Sequence, residues 1–139
     1  MSIDHPTRRS VLAAGAVGGV GMVGLLAGCG SQGTVEQPVS GTQLAKLNDI
    51  PVGSAKSVQG PDDKPVIVTR TADGTAVAFS AICTHQGCTV KPAGKELHCP
   101  CHGSKYDAAT GKVLGGPAPE PLPEVTVHVA GGAVVTGKA

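Results

Sequence analysis

Two short runs carry residue types that can hold a metal. The first is Cys83-Thr84-His85-Gln86-Gly87-Cys88 and the second is Cys99-Pro100-Cys101-His102-Gly103-Ser104. Each offers a thiol and an imidazole a few residues apart, with a glycine nearby that lets backbone approach a metal site. Thiolate and imidazole together suit zinc, iron or copper. Neither run has the length or periodicity of a regular element, so both must be loops held in place by something stiffer.

The flanking sequence supplies strands. Alternation and β-branched runs appear in Val66-Ile67-Val68-Thr69-Arg70 and in Ala76-Val77-Ala78-Phe79, and Thr71-Ala72-Asp73-Gly74-Thr75 between them carries an Asp-Gly turn signal, which predicts a hairpin. Glu124 to Val129 alternates, Ala133 to Thr136 follows, and Gly131-Gly132 between them marks a second hairpin. Proline at 117, 119, 121 and 123 forbids regular structure there and stiffens the chain. No window after residue 30 has a long helical period, and no internal repeat is present. The expected fold is small and all-β, an antiparallel β-sandwich base with a loop-rich insertion between Ile82 and Tyr106.

The two runs strongly resemble the cluster-binding motifs of the Rieske iron–sulfur family, in which Cys-x-His and Cys-x-x-His hold a 2Fe–2S cluster with two Cys on one iron and two His on the other. Residue by residue, the resemblance implies that Cys83 and Cys99 ligate the inner iron and that His85 and His102 ligate the outer one, near solvent. Cys88 and Cys101 match the family's disulfide pair between the two loops. Ser104 and Tyr106 match hydroxyls that, in the high-potential branch, donate to a bridging sulfide and a cysteine sulfur; such donors favour the reduced, more negative cluster and raise its potential. Gly116-Pro117-Ala118-Pro119 resembles the family's proline loop, which covers the cluster's third side. The resemblance runs from about residue 82 to 119, with hairpins on both sides as the family's base domain requires. It departs at Gln86, where the quinol-oxidising members usually carry Leu, a residue that helps form the docking surface near the quinone.

Two readings of other classes remain beside it. A structural zinc site would use two Cys and two His, and it would leave two of these Cys over. A binding module held only by disulfides would join the four cysteines of residues 83–101 in two bridges, as an exported domain can. His98 and His128 are read as ordinary strand residues, Phe79 as core, and Lys91, Lys95, Lys105, Lys112 and Asp107 as surface charges.

A fifth cysteine, Cys29, needs separate treatment. Arg8 and Arg9 precede eighteen residues, Val11 to Gly28, without a charge. Basic residues before an uncharged stretch are the layout of an export signal. The length would also permit an anchor helix, but six of the eighteen are glycine, poor in both hydrophobicity and helix propensity. The stretch resembles a twin-arginine signal, and Leu26-Ala27-Gly28-Cys29 at its end resembles a lipobox, which implies cleavage before Cys29 and attachment of diacylglycerol to it. Residues 1–28 are then a lipoprotein signal peptide, 29–41 a flexible Gly/Ser-containing tether, and 42–139 the Rieske-like domain. Two acyl chains can hold a soluble domain at a membrane.

The chain of 139 residues suits one domain. Its formal net charge of +1, with 15% charged residues, offers no basic face for nucleic acid. Twenty-one Gly and eleven Pro without a repeating period exclude collagen, and the Val-rich stretches argue against disorder. The expectation is an exported, lipid-anchored carrier of single electrons on the outer face of a bacterial cytoplasmic membrane. It would be an electron-transfer subunit and not a catalyst by itself. Its partners would be redox proteins of a quinol–cytochrome chain, or of an extracytoplasmic oxidase that uses a small Rieske subunit, as arsenite oxidases do.

Overall fold

The computed structural model describes residues 41–139. The signal, Cys29 and nearly all of the tether lie outside the described residues. Eleven strands make three antiparallel sheets, with two single-turn 3₁₀ segments at Leu47–Asp49 and Pro61–Asp63. Strands β1 (Gln43–Lys46), β10 (Val127–Ala130) and β11 (Ala133–Thr136) form one sheet in the order β1-β11-β10. Strands β2 (Ala55–Gln59), β3 (Pro65–Ala72), β4 (Thr75–Ser80) and β9 (Glu124–Val125) form a second in that order. The third is a meander of β5 (Lys91–Ala93), β6 (Glu96–His98), β7 (Lys105–Asp107) and β8 (Val113–Gly115). Both expected hairpins are present, β3–β4 over Asp73-Gly74 and β10–β11 over Gly131-Gly132.

The second sheet is the middle layer, and its sequence explains why. A strand buried on one face alternates apolar and polar residues, while a strand buried on both faces is apolar throughout. In β3, Val66, Ile67, Val68 and Thr69 are all buried. Val66 and Val68, with Ala78 of β4, pack with Leu44, Leu47, Ile50 and Val134. Ile67 and Phe79 point the other way, into a core shared with Val90, Leu97, Tyr106, Leu122 and the two cysteines Cys83 and Cys99. The second core therefore fastens the ligand-bearing insertion to the base.

Two details depart from the sequence expectation. The alternating run Glu124–Val129 is not one strand: Val125 pairs with β4, Val127 pairs with β11, and the chain changes sheets at Thr126. The insertion also carries more regular structure than its loop-rich composition suggests, and the sheet under its loops, four three-residue strands, runs on beyond Tyr106 to Gly115. Among the described residues no helix is long and apolar enough to cross a membrane.

Candidate metal centre

The two motif loops leave the ends of these strands. The first begins after Ile82, whose bridge to Thr89 closes residues 83–88 into a loop, tightened by Cys83 N–H to Cys88 O at 2.8 Å and Gly87 N–H to Cys83 O at 2.9 Å. The second joins β6 to β7. His98 pairs with Lys105, and the Cys99 N–H reaches Ser104 O at 2.8 Å, so residues 99–104 stand on the last rung of that ladder. Cys88 and Cys101 are joined by a disulfide that ties the loops together, with Cα atoms 6.4 Å apart. Among the described residues Cys83 and Cys99 are the free cysteines, and both are buried. One bridge forms, not the two that a module held by disulfides alone would have.

The imidazoles meet on the outer side. The His85 and His102 rings lie edge to face, with centroids 4.8 Å apart. His85 is partly exposed and His102 exposed, yet His85 Nδ1 is itself buried and has no hydrogen-bond partner among the described residues. A buried ring nitrogen without a partner is costly unless something accepts its lone pair or its proton. A metal on that atom would remove the cost.

The groups around the thiols are equally specific. Tyr106, fully buried on β7, places its Oη 3.2 Å from Cys83 Sγ and 3.3 Å from Thr84 Oγ1, and accepts the Thr84 N–H at 3.3 Å. The Thr84 hydroxyl donates to Glu120 O at 2.7 Å. With that proton committed, Thr84 Oγ1 can only accept, and the phenol proton has the sulfur as its stronger, charge-assisted acceptor. Burial pushes the Cys83 thiol up, but hydrogen bonds from the Tyr106 hydroxyl, the His85 backbone, Cys99 and Ser104 outweigh it and leave its pKa below the ordinary thiol value. Burial, then the neighbouring Cys83, raises the Tyr106 phenol, which keeps it a donor. A thiol biased toward thiolate is the form that binds metal.

The proline loop closes over the second motif. Ala118 N–H donates to Ser104 Oγ at 3.2 Å in the interior, which leaves the Ser104 hydroxyl proton free for another acceptor. Gly116 is in the left-handed region, φ +85°, and a Cβ there would lie 2.6 Å from Ser104 Cα and 2.8 Å from Gly103 O. Only glycine lets the two loops approach so closely. Pro117 and Pro119 are exposed at the rim and Ala118 is buried beneath them.

The structure thus brings Cys83, His85, Cys88, Cys99, Cys101, His102, Ser104, Tyr106 and residues 116–119 together at one end of the domain; Cys29 lies outside the described residues. Sequence reasoning missed Thr84, which ties the first loop both to Tyr106 and to the end of the proline segment. Its position between two motif residues, with a side chain able to donate and accept, was the available signal. His98 bonds Glu96 through Nε2 at 2.7 Å, which holds the Glu96 carboxyl below its usual range, and His128 Nδ1 meets Gly137 O at 3.0 Å; both are ordinary partners. None of the residues 83–90, 99–104 and 116–119 is Asp, Glu, Lys or Arg.

Two buried thiols, two neighbouring imidazoles and hydroxyl donors around the sulfur fit a mixed-ligand iron–sulfur centre. The fold and this donor set define a 2Fe–2S protein. Residues 41–126 match the model of the Rieske [2Fe-2S] domain family, and the chain belongs to that family. Its cofactor is a 2Fe–2S cluster. The chain is 42% identical over 98 residues to the cytochrome b6-f complex iron-sulfur subunit of Chlorobaculum tepidum, covering 69% of this chain and 52% of that protein. It spans about half the length of the curated relatives it matches. The crystal structure of the plasma membrane Rieske protein PetC3 from the cyanobacterium Synechocystis PCC 6803 superposes with a TM-score of 0.60 at 31% identity, covering 70% of this chain and 99% of that one. A ferredoxin of Sphingomonas yanoikuyae B1 shares the fold, with a TM-score of 0.57 at 22% identity over 71% of this chain and 99% of that one.

Proposed function

We propose that this chain is an electron-transfer protein that passes single electrons between redox partners outside the cytoplasmic membrane. In this reading Cys83 and Cys99 hold the buried side of the cluster, and His85 and His102 hold the side nearest solvent. The observation that carries it is the pairing of two buried free thiols with the His85–His102 ring pair. A bound cluster supplies a one-electron couple. Cys83 is kept thiolate-like by the Tyr106 hydroxyl, Ser104 and Ala118 lock the proline loop over the second motif, and the disulfide holds the two histidine-bearing loops together. The imidazoles are the route for electrons to a docked partner. The protein should contain two iron and two acid-labile sulfides per chain, with loss of both in Cys99→Ser and in His102→Ala; zinc instead of iron would overturn the assignment.

Residues 1–28 serve as a twin-arginine-type signal, Cys29 as the lipid attachment point and 29–41 as the tether to the domain at 42–139. The intact mass of the native protein should show a diacylglyceryl adduct on a chain beginning at Cys29. The mass of the unmodified full chain would refute this. The partners proposed are redox proteins of a quinol–cytochrome chain, supported by relatives that are cytochrome b6-f subunits. Gln86, exposed on the first loop where quinol-oxidising members usually carry Leu, favours a second host, an extracytoplasmic oxidase with a small Rieske subunit. Co-purification from native membranes separates the two.

A further inference from the structure

Three sulfurs crowd the stem of the two loops. Those of Cys88, Cys99 and Cys101 lie within 4.8 Å of one another, and Cys88 and Cys101 are already bonded. Cys99 is therefore a free thiol beside a disulfide, a combination that can isomerise without any added oxidant or reductant. The inference rests on the reading of Cys99 as a cluster ligand, because a sulfur bound to iron is no longer free to attack.

We propose that the protein records cluster occupancy in its disulfide pairing: when no cluster is bound, Cys99 displaces Cys101 from Cys88. Cys99 Sγ attacks Cys88 Sγ, and the proton that Cys99 loses is balanced by the one that Cys101 gains. The Cys88–Cys101 bond breaks, a Cys88–Cys99 bond forms, and the electron pair leaves on Cys101, which takes a proton from solvent. One disulfide and one thiol stand on each side, so the step balances.

The geometry selects this direction. Attack on Cys101 would instead bridge Cys99 to Cys101 across Pro100 alone, whose fixed φ resists so small a ring. Cys101 is the exposed member of the bridge and Cys88 the half-buried one, so Cys101 departs into water. Cys83 is not in the three-sulfur group, and its sulfur is engaged by Tyr106 Oη at 3.2 Å. The product has lost one of the four cluster ligands to a disulfide. A chain that has lost its cluster thereby closes its own site, and a bound cluster keeps the site open.

The test uses the full chain carrying Cys29→Ser, so that the N-terminal thiol takes no part. Cluster-loaded protein and protein stripped by a chelator are held without oxygen at mildly alkaline pH for hours, the scale of uncatalysed disulfide rearrangement. Thiols are then alkylated and peptides mapped, with fragmentation at the Cys99–Pro100 bond distinguishing Cys99 from Cys101. The loaded protein should show only Cys88–Cys101. The stripped protein should shift to Cys88–Cys99 with Cys101 alkylated, Cys83→Ser should shift likewise, and stripped Cys99→Ser should keep Cys88–Cys101. Retention of Cys88–Cys101 alone in the stripped parent would overturn the proposal. So would a mixture of all pairings including Cys83, which indicates an unfolded chain. Iron content is read separately: a Cys99→Ser variant that keeps its iron refutes the ligand reading, whatever the disulfide map shows.

Discussion

Replacing Tyr106 with Phe removes one oxygen from the centre and leaves the ring that packs beside Leu97 and Cys83. That oxygen has two consequences that can be measured apart. Its proton goes to Cys83 Sγ at 3.2 Å, because the Thr84 hydroxyl is committed to Glu120 O. A reduced cluster places more negative charge on its sulfurs, so the bond is stronger in that state. A difference of about 1 kcal/mol, typical of one hydrogen bond, corresponds to about 40 mV for one electron, since a tenfold change in equilibrium equals about 59 mV or about 1.4 kcal/mol. The potential of Tyr106→Phe should fall by about that amount. The second consequence is structural: the Thr84 N–H loses its acceptor, which costs about 1–3 kcal/mol if water does not replace it. Voltammetry of the cluster-loaded protein reads the first, and thermal unfolding reads the second. A potential unchanged within about 10 mV, with stability reduced as expected, would refute the phenol–sulfur donor argument, because that argument requires tens of millivolts.

Four further outcomes are expected. Ser104→Ala should also lower the potential, and because Ser104 Oγ accepts the Ala118 N–H, backbone amide exchange at Ala118 should accelerate. Gly116→Ala must place a Cβ 2.6 Å from Ser104 Cα at φ +85°, so thermal unfolding should show a loss of at least about 1–2 kcal/mol together with faster cluster bleaching. Cys88→Ala with Cys101→Ala opens a cross-link of sequence separation 13, worth about 3 kcal/mol by chain entropy; the hairpins should survive while the visible absorbance of the cluster fades faster on a thermal ramp, and equal persistence would count against a holding role. Asp107 accepts from Thr110 Oγ1, Thr110 N and Ala109 N, which holds its carboxyl below the usual range. The part of its contribution that depends on charge is present above the unfolded-state pKa and is lost as pH falls through the depressed folded value, so Asp107→Ala should cost about 1 kcal/mol near neutrality, as for a lost cap, and less in strong acid.

The chemistry of the site was more legible than its scaffold. Cysteine and histidine at fixed spacing state a donor set directly, and the Asp73-Gly74 turn states a hairpin, because both signals are local. The strands under the ligand loops were illegible for a physical reason. Each has three residues, and Lys105-Tyr106-Asp107 shows one apolar side chain between two charged ones, too short a pattern for period-two alternation to stand out. β2 reads as polar because it lies at an edge of its sheet. The split of Glu124–Val129 between sheets at Thr126 keeps alternation intact while changing partners, so a sequence pattern cannot register it. The closeness of Gly116 to Ser104 is a long-range fact; the sequence offered only a glycine before a proline.

The absence of Asp, Glu, Lys and Arg from residues 83–90, 99–104 and 116–119 bears on how fast partners find this tip. Charged faces accelerate encounter through long-range attraction, and salt then slows it. The loops themselves add little to such steering, which is left to the exposed charges that flank them, Lys91, Lys105 and Glu120. Within residues 83–90, 99–104 and 116–119 no charged side chain of these four types has to be stripped of water when a contact closes. Discrimination between partners at these loops then falls to shape and to the few polar edges at the surface.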